Sequence, residues 1–191
     1  MDRKSFVKNI GVIGGCTLVL PTTLLQSCEY EPRVWSDLNA NDVAFLDELA
    51  ETIIPATPGL PGAKAAEVGK YMVTMVQDCL APEDQDVFLT GLTSIEALCV
   101  ERHGKPFEKL EDTAKLGLLE DIQAEAIDFA EANENAEPPV IHYFFILKDL
   151  AVSGYFTSKI GMTQARTYLP IPQKYLGCID YDEQTSNPWA I

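Results

Sequence analysis

The chain has 191 residues, 14 of them Lys or Arg and 29 Asp or Glu, for a formal net charge of −15. So acidic a chain excludes a general nucleic-acid binder, because a phosphate backbone is held by cations. Its length fits one domain with a sizeable core.

The first segment reads as a leader. Arg3, Lys4 and Lys8 precede an uncharged run, Ile10 to Leu20. A membrane-spanning helix needs about twenty apolar residues, so this run is too short to cross. A basic start followed by a short apolar run is the layout of a secretory signal. Gly11, Gly14, Gly15 and Pro21 argue against a buried core helix there. Leu25-Gln26-Ser27-Cys28 resembles a bacterial lipobox, with Cys28 as the lipidated first residue of the mature protein. The alternative is a plain cleaved signal. Two or more acyl chains anchor stably where one does not. The expected localisation is periplasmic, lipid-anchored to a membrane, with the outer membrane preferred because Glu29 does not look like an inner-membrane retention signal. Arg3-Lys4-Ser5-Phe6 is similar to a twin-arginine export motif with Lys at its second position, and Sec export fits the same residues. Removing residues 1–27 leaves 11 basic and 28 acidic residues, a net −17.

Residues 28–37 read as a tether, and residues 38–191 as a single helical domain. The fold class is all-α: a compact bundle of about five helices with an irregular aromatic tail from about residue 168. Asn39 to Asp42 has the pattern of a capping box. Phe45, Leu46, Leu49 and Ile53 recur at helical spacing until Pro55. PATPGLPG, residues 55–62, is a stiff turn-rich loop. A second helix is expected from near Ala63, burying Val68, Met72, Met75, Val76 and Cys79. Pro82 suits the first turn of a third helix, whose stripe is Phe88, Leu92, Ile95 and Cys99, with Gly104 as C-terminal cap. A fourth helix is expected from about Thr113 to Asn133, with Leu116, Leu119, Ile122, Ala126 and Phe129 inward. Pro138-Pro139 is expected to open a fifth. VIHYFFILKDLAV is apolar nearly all round, so this helix is expected at the centre of the bundle. The tail beyond it has no helical period and must lie on its own domain or on a partner.

The sequence offers no catalytic constellation and no metal or cofactor motif. His103 sits at a helix end, where it complements the dipole. His142 reads as a satisfied core histidine, in preference to an axial haem ligand. No Cys-x-x-Cys-His is present, so covalent haem is excluded. No Gly-rich dinucleotide fingerprint and no Gly-x-Ser-x-Gly occur. The carboxylates are spread over what read as solvent faces. Cys79, Cys99 and Cys178 are left after the leader, and whether any pair stays open. Cys79 and Cys99 read as buried free thiols.

FLDELAETIIPATPGLPGAKAAEVGKYMVTMV, residues 45–76, resembles the small, third subunit family of gluconate 2-dehydrogenase. Ile53-Ile54-Pro55, Thr57-Pro58-Gly59, Pro61-Gly62-Ala63-Lys64 and Val68 carry the likeness. HYFFILKDLAVSGYFTSKIGM and YLPIPQKYLGC extend it to most of residues 38–180. The resemblance implies a non-catalytic accessory subunit without a cofactor of its own. The chemistry, and an FAD, would belong to a large flavoprotein of the glucose–methanol–choline class, with a c-type cytochrome as a further partner. The small subunit would export, anchor and stabilise that flavoprotein. Aromatic residues are enriched in strong interfaces, so the expected partner-binding residues are Tyr155, Phe156, Tyr168, Tyr175, Tyr181 and Trp189. Phe156 and Tyr168 could equally finish the core. Cys178 is a candidate for a disulfide to the partner. The other reading is a free-standing envelope lipoprotein with a different partner.

Overall fold

The fold was obtained as a computed structural model and is described for residues 31–171, with Cys178, Asp180 and Pro188. The way into the bundle is set by short-range polar chemistry. Asn39 accepts from the Asn41 N–H at 3.0 Å, and Asp42 accepts from the Asn39 N–H at 2.6 Å, which completes the capping box. A 3₁₀ turn, Ala40–Asp42, runs on into α1, Val43–Ile53. Asp42 is fully buried and is neutralised by an ion pair with Arg33.

That pair draws the segment before α1 onto the bundle. The Arg33 guanidinium also sits 3.9 Å from the Trp35 ring centroid. Trp35 is only 5% exposed and packs against Phe45 at 4.9 Å. Its backbone N–H donates to Thr93 Oγ1 at 3.0 Å. Residues 33–35 therefore pack on the helical body, within the stretch expected to be a tether. Trp35 alone carries enough apolar area to dock the segment.

α1 buries Phe45, Leu46, Leu49 and Ala50 and ends where Pro55 withholds an N–H. α2 runs Val68–Asp78, later than the expected start at Ala63. Residues 63–67 form turns instead, and Glu67 sits in the left-handed region at φ 55, which interrupts any continuous helix. Cys79 follows α2 as its C-cap and is exposed, not buried as expected, because the helix ends before its face can turn inward. α3, Pro82–His103, has Pro at its first turn, acids beside it and Gly104 at φ 64 as its cap. Cys99 is fully buried.

After a 3₁₀ turn at Phe107–Lys109, α4 spans Asp112–Ala132. Its inward stripe is Lys115, Leu118, Leu119, Ile122 and Ala126. Leu116 and Phe129, expected inside, are 49% and 36% exposed. The stripe is rotated because Lys115 turns inward to reach Glu48, carrying Leu116 outward.

α5, Tyr143–Thr157, does not begin at Pro138-Pro139. Pro138, as the residue before Pro139, is pushed toward extended backbone, and Val140 and Ile141 also lie outside the helix and exposed. His142 starts the helix by accepting from the Phe144 N–H at 3.2 Å. The expectation of a central helix holds. α5 packs against α1, α2, α3 and α4, burying Phe144, Ile146, Leu147, Leu150, Ala151 and Tyr155. One turn of π-helix, Gly161–Ala165, follows. A Cβ at Gly161 would lie 2.0 Å from the Tyr155 carbonyl oxygen, so the turn needs glycine there. Thr167 N–H then donates to the Pro188 carbonyl at 2.8 Å. No strand occurs among the described residues; Thr57 and Leu60 form an isolated bridge. None of their helices is long and apolar enough to cross a membrane.

Candidate partner-binding surface

Three carboxylates within two turns of α1 build the most organised polar feature of the fold. Glu51 accepts the Ala56 N–H at 2.9 Å and the Lys64 N–H at 2.8 Å, clamping both ends of the loop that follows α1. Glu48 bridges the ammonium groups of Lys64 and Lys115, the latter at 2.9 Å. Asp47 accepts the Gly69 N–H at 2.7 Å and so fixes the start of α2. Between the clamped ends, Thr57 and Leu60 exchange two backbone bonds of 2.9 Å across a turn with Gly59 at φ 87. Tyr155 reaches up from α5 and donates to the Pro61 carbonyl at 2.8 Å. Gly62 is needed where a Cβ would crowd the Ala56 backbone nitrogen at 2.5 Å, beside the Glu51 carboxylate.

The electrostatics agree with a structural mount. Burial works to raise the Glu48 pKa, but hydrogen bonds and charge from Lys64 and Lys115 outweigh it and hold it below the usual value. Lys64 is raised chiefly by its bond to Glu48. At Asp47 burial wins over the Gly69 N–H, and the pKa rises. Each carboxylate already has partners. No grouping of His, Cys, Asp or Glu among the described residues could hold a metal ion.

The clamp holds an exposed tip, residues 55–59, over a cleft of about 390 Å³. Glu48, Glu51, Pro55, Asp112, Lys115 and Leu116 are among its walls. A loop held this firmly before contact loses little freedom when a partner binds. The stiffness of the loop is legible in its prolines and glycines. Its clamps are not, because a carboxylate that bonds a distant N–H has the same sequence spacing as one facing solvent.

A second concavity, about 310 Å³, opens between α3, the end of α4 and the start of α5. Phe129, Ile141, His142 and Tyr143 meet Gly91 and Asp86 there. A Cβ at Gly91 would collide with the Tyr143 ring at 2.2 Å, so the ring lies against bare backbone. His142 stacks between Phe129 and Tyr143, with centroids at 5.5 and 4.3 Å. Burial lowers its pKa against the opposing charge of Glu125, which favours the neutral ring that caps α5. It is a satisfied histidine at the edge of the core.

The expected interface residues divide. Tyr155 is 2% exposed, and its hydroxyl is committed to Pro61, so it is a core residue rather than a contact for a partner. Its place facing inward on the central helix decides this. Phe156 is half-buried against Tyr155 and lies 4.5 Å under the Arg166 guanidinium. Tyr168 is 47% exposed. Cys178 is exposed and unpaired with Cys79 or Cys99. Cys28, Tyr175, Tyr181 and Trp189 lie outside the described residues.

The model of the gluconate 2-dehydrogenase subunit 3 family matches residues 40–172. The chain belongs to that family. The matched span runs from the capping turn of α1 to just past the π-turn, and includes the clamped loop and both concavities. No curated protein and no solved structure matches the chain. Subunit 3 of gluconate 2-dehydrogenase is an accessory subunit of a dehydrogenase complex, so other subunits of such a complex are its partners.

Proposed function

We propose that this protein is a non-catalytic accessory subunit of a periplasmic, membrane-bound, flavin-dependent sugar or polyol dehydrogenase. The family match over residues 40–172 carries the reading. In it, the large flavoprotein subunit holds FAD and oxidises the substrate, and a c-type cytochrome takes up the electrons. The leader and Cys28 supply export and a lipid anchor. The helical body stabilises the flavoprotein by mass action: whatever binds only the folded state lowers the unfolded fraction. The rigid loop at residues 55–59 suits that task, because its order precedes contact.

The test is affinity purification of the detergent-extracted protein from its native cell, with an absorbance scan and mass identification of co-purifying chains. A yellow complex with a large flavoprotein, and an intact mass showing diacylated Cys28, is the expected result. A colourless, solitary protein would leave a free-standing envelope lipoprotein and end the dehydrogenase reading.

A further inference from the structure

We propose that the groove between α3, the end of α4 and the start of α5 seats an apolar side chain of the large subunit flanked by Lys or Arg. This rests on the accessory-subunit reading and assigns a surface to it.

Two features single the groove out. Its floor is apolar and open: Phe129 is 36% and Ile141 46% exposed, beside the Tyr143 ring. Such a volume takes one or two large side chains, the usual size of an interface anchor. Its rim is acidic, with no Lys or Arg among its described lining residues. Asp86 lines it, and Glu125 stands close enough to act on both His142 and Tyr143.

The charge around it is unbalanced within the chain. Ion pairs among the described residues reach α4 at Asp112, Lys115 and Asp121, and none reaches Glu125, Asp128 or Glu131. The last turn of α4 holds no basic residue. Acids there face the negative end of the helix dipole, where cations are favoured. A basic segment laid across this end would remove that conflict and place its apolar neighbour over the groove.

Charge also chooses among occupants. A second copy would bring the same acids, at −15 per chain. Residues 172–191 carry Lys174 against Asp180, Asp182 and Glu183, so they are acidic too. A basic-flanked segment of another subunit is the complementary ligand.

The experiment places a photo-crosslinking p-benzoylphenylalanine at Ile141 in the full chain, expressed in its native cell, and identifies the joined peptide. The expected peptide comes from the flavoprotein and has a large apolar residue beside Lys or Arg. Ile141→Asp weakens the association at least about tenfold. Asp86→Asn with Glu125→Gln flattens its salt dependence, with the melting temperature of the free subunit nearly unchanged. A crosslink to a second copy, to residues 172–191 or to a peptide without Lys or Arg overturns the inference. So does an unchanged affinity of Ile141→Asp. In those cases the flavoprotein still co-purifies and the accessory-subunit reading stands. Absence of the flavoprotein from the wild-type preparation removes both.

Discussion

Glu96 is a carboxylate in the wrong place for an ordinary surface acid. It lies on α3, 2% exposed, and its Oε2 has no hydrogen-bond partner. Burial, helped by the nearby charge of Glu108 and opposed by the Phe107 N–H and Arg33, pushes its pKa up to about 7. The folded state therefore holds the proton more tightly than the unfolded chain does. The stability this contributes is complete below the unfolded value of 4.5 and is lost as pH rises through about 7. On that account the protein gains stability on going from pH 8 to pH 5, on the order of 3 kcal/mol from this group alone. Glu96→Gln should abolish most of that gain, as read by urea unfolding at both pH values. A Gln variant that keeps the full pH slope would show that the gain comes from other groups. Cys99, buried nearby, has its thiol pushed up to about 12, so it is inert toward thiol reagents in the native state. Neither property is legible in the sequence. Glu96 occupies a helix face shared with Thr93 and Leu92, and nothing in that pattern says that it will be buried.

At the level of elements, the loop after α1 is the sharpest case of a local order set from afar. Glu51 provides both of its clamping acceptors. Glu51→Ala removes them together and should cost about 1–3 kcal/mol, since two backbone N–H groups lose their partners. Hydrogen exchange at Ala56 and Lys64 would quicken far more than exchange in α3. Equal quickening everywhere would mean that the clamp serves global stability and not the loop. The elements themselves were largely legible. The periodicity of α1, α3 and α4, the capping box at Asn39 and the cap at Gly104 follow from local chemistry that the chain spells out residue by residue. The misses have two causes. The start of α2 and the rotation of α4 around Lys115 follow distant contacts with Asp47 and Glu48 of α1, whereas the start of α5 turns on the local cap that His142 gives the Phe144 N–H. The candidate site divides the same way. Its loop could be read from Pro and Gly, whereas the groove at Phe129 and Ile141 arises from misjudged helix edges. The family resemblance supplied the accessory role that no residue pattern could.

On the scale of the whole molecule, one helix organises the rest. Every other helix of the bundle leans on α5, and α5 holds residues 143–157. A chain truncated after residue 142 would retain four amphipathic helices with no common wall. It should show helical far-UV circular dichroism, no fixed near-UV signal and rapid proteolysis. A truncated chain with native-like near-UV signal and slow cleavage would show that the first four helices close a core without it. That α5 follows α1–α4 in the chain also has a meaning in time. Synthesis delivers its partners first, at roughly 5–20 residues per second, and each must wait with its apolar stripe uncovered. The keystone comes after them all. Until α5 has been made, the apolar stripes of the first four helices have no wall in common.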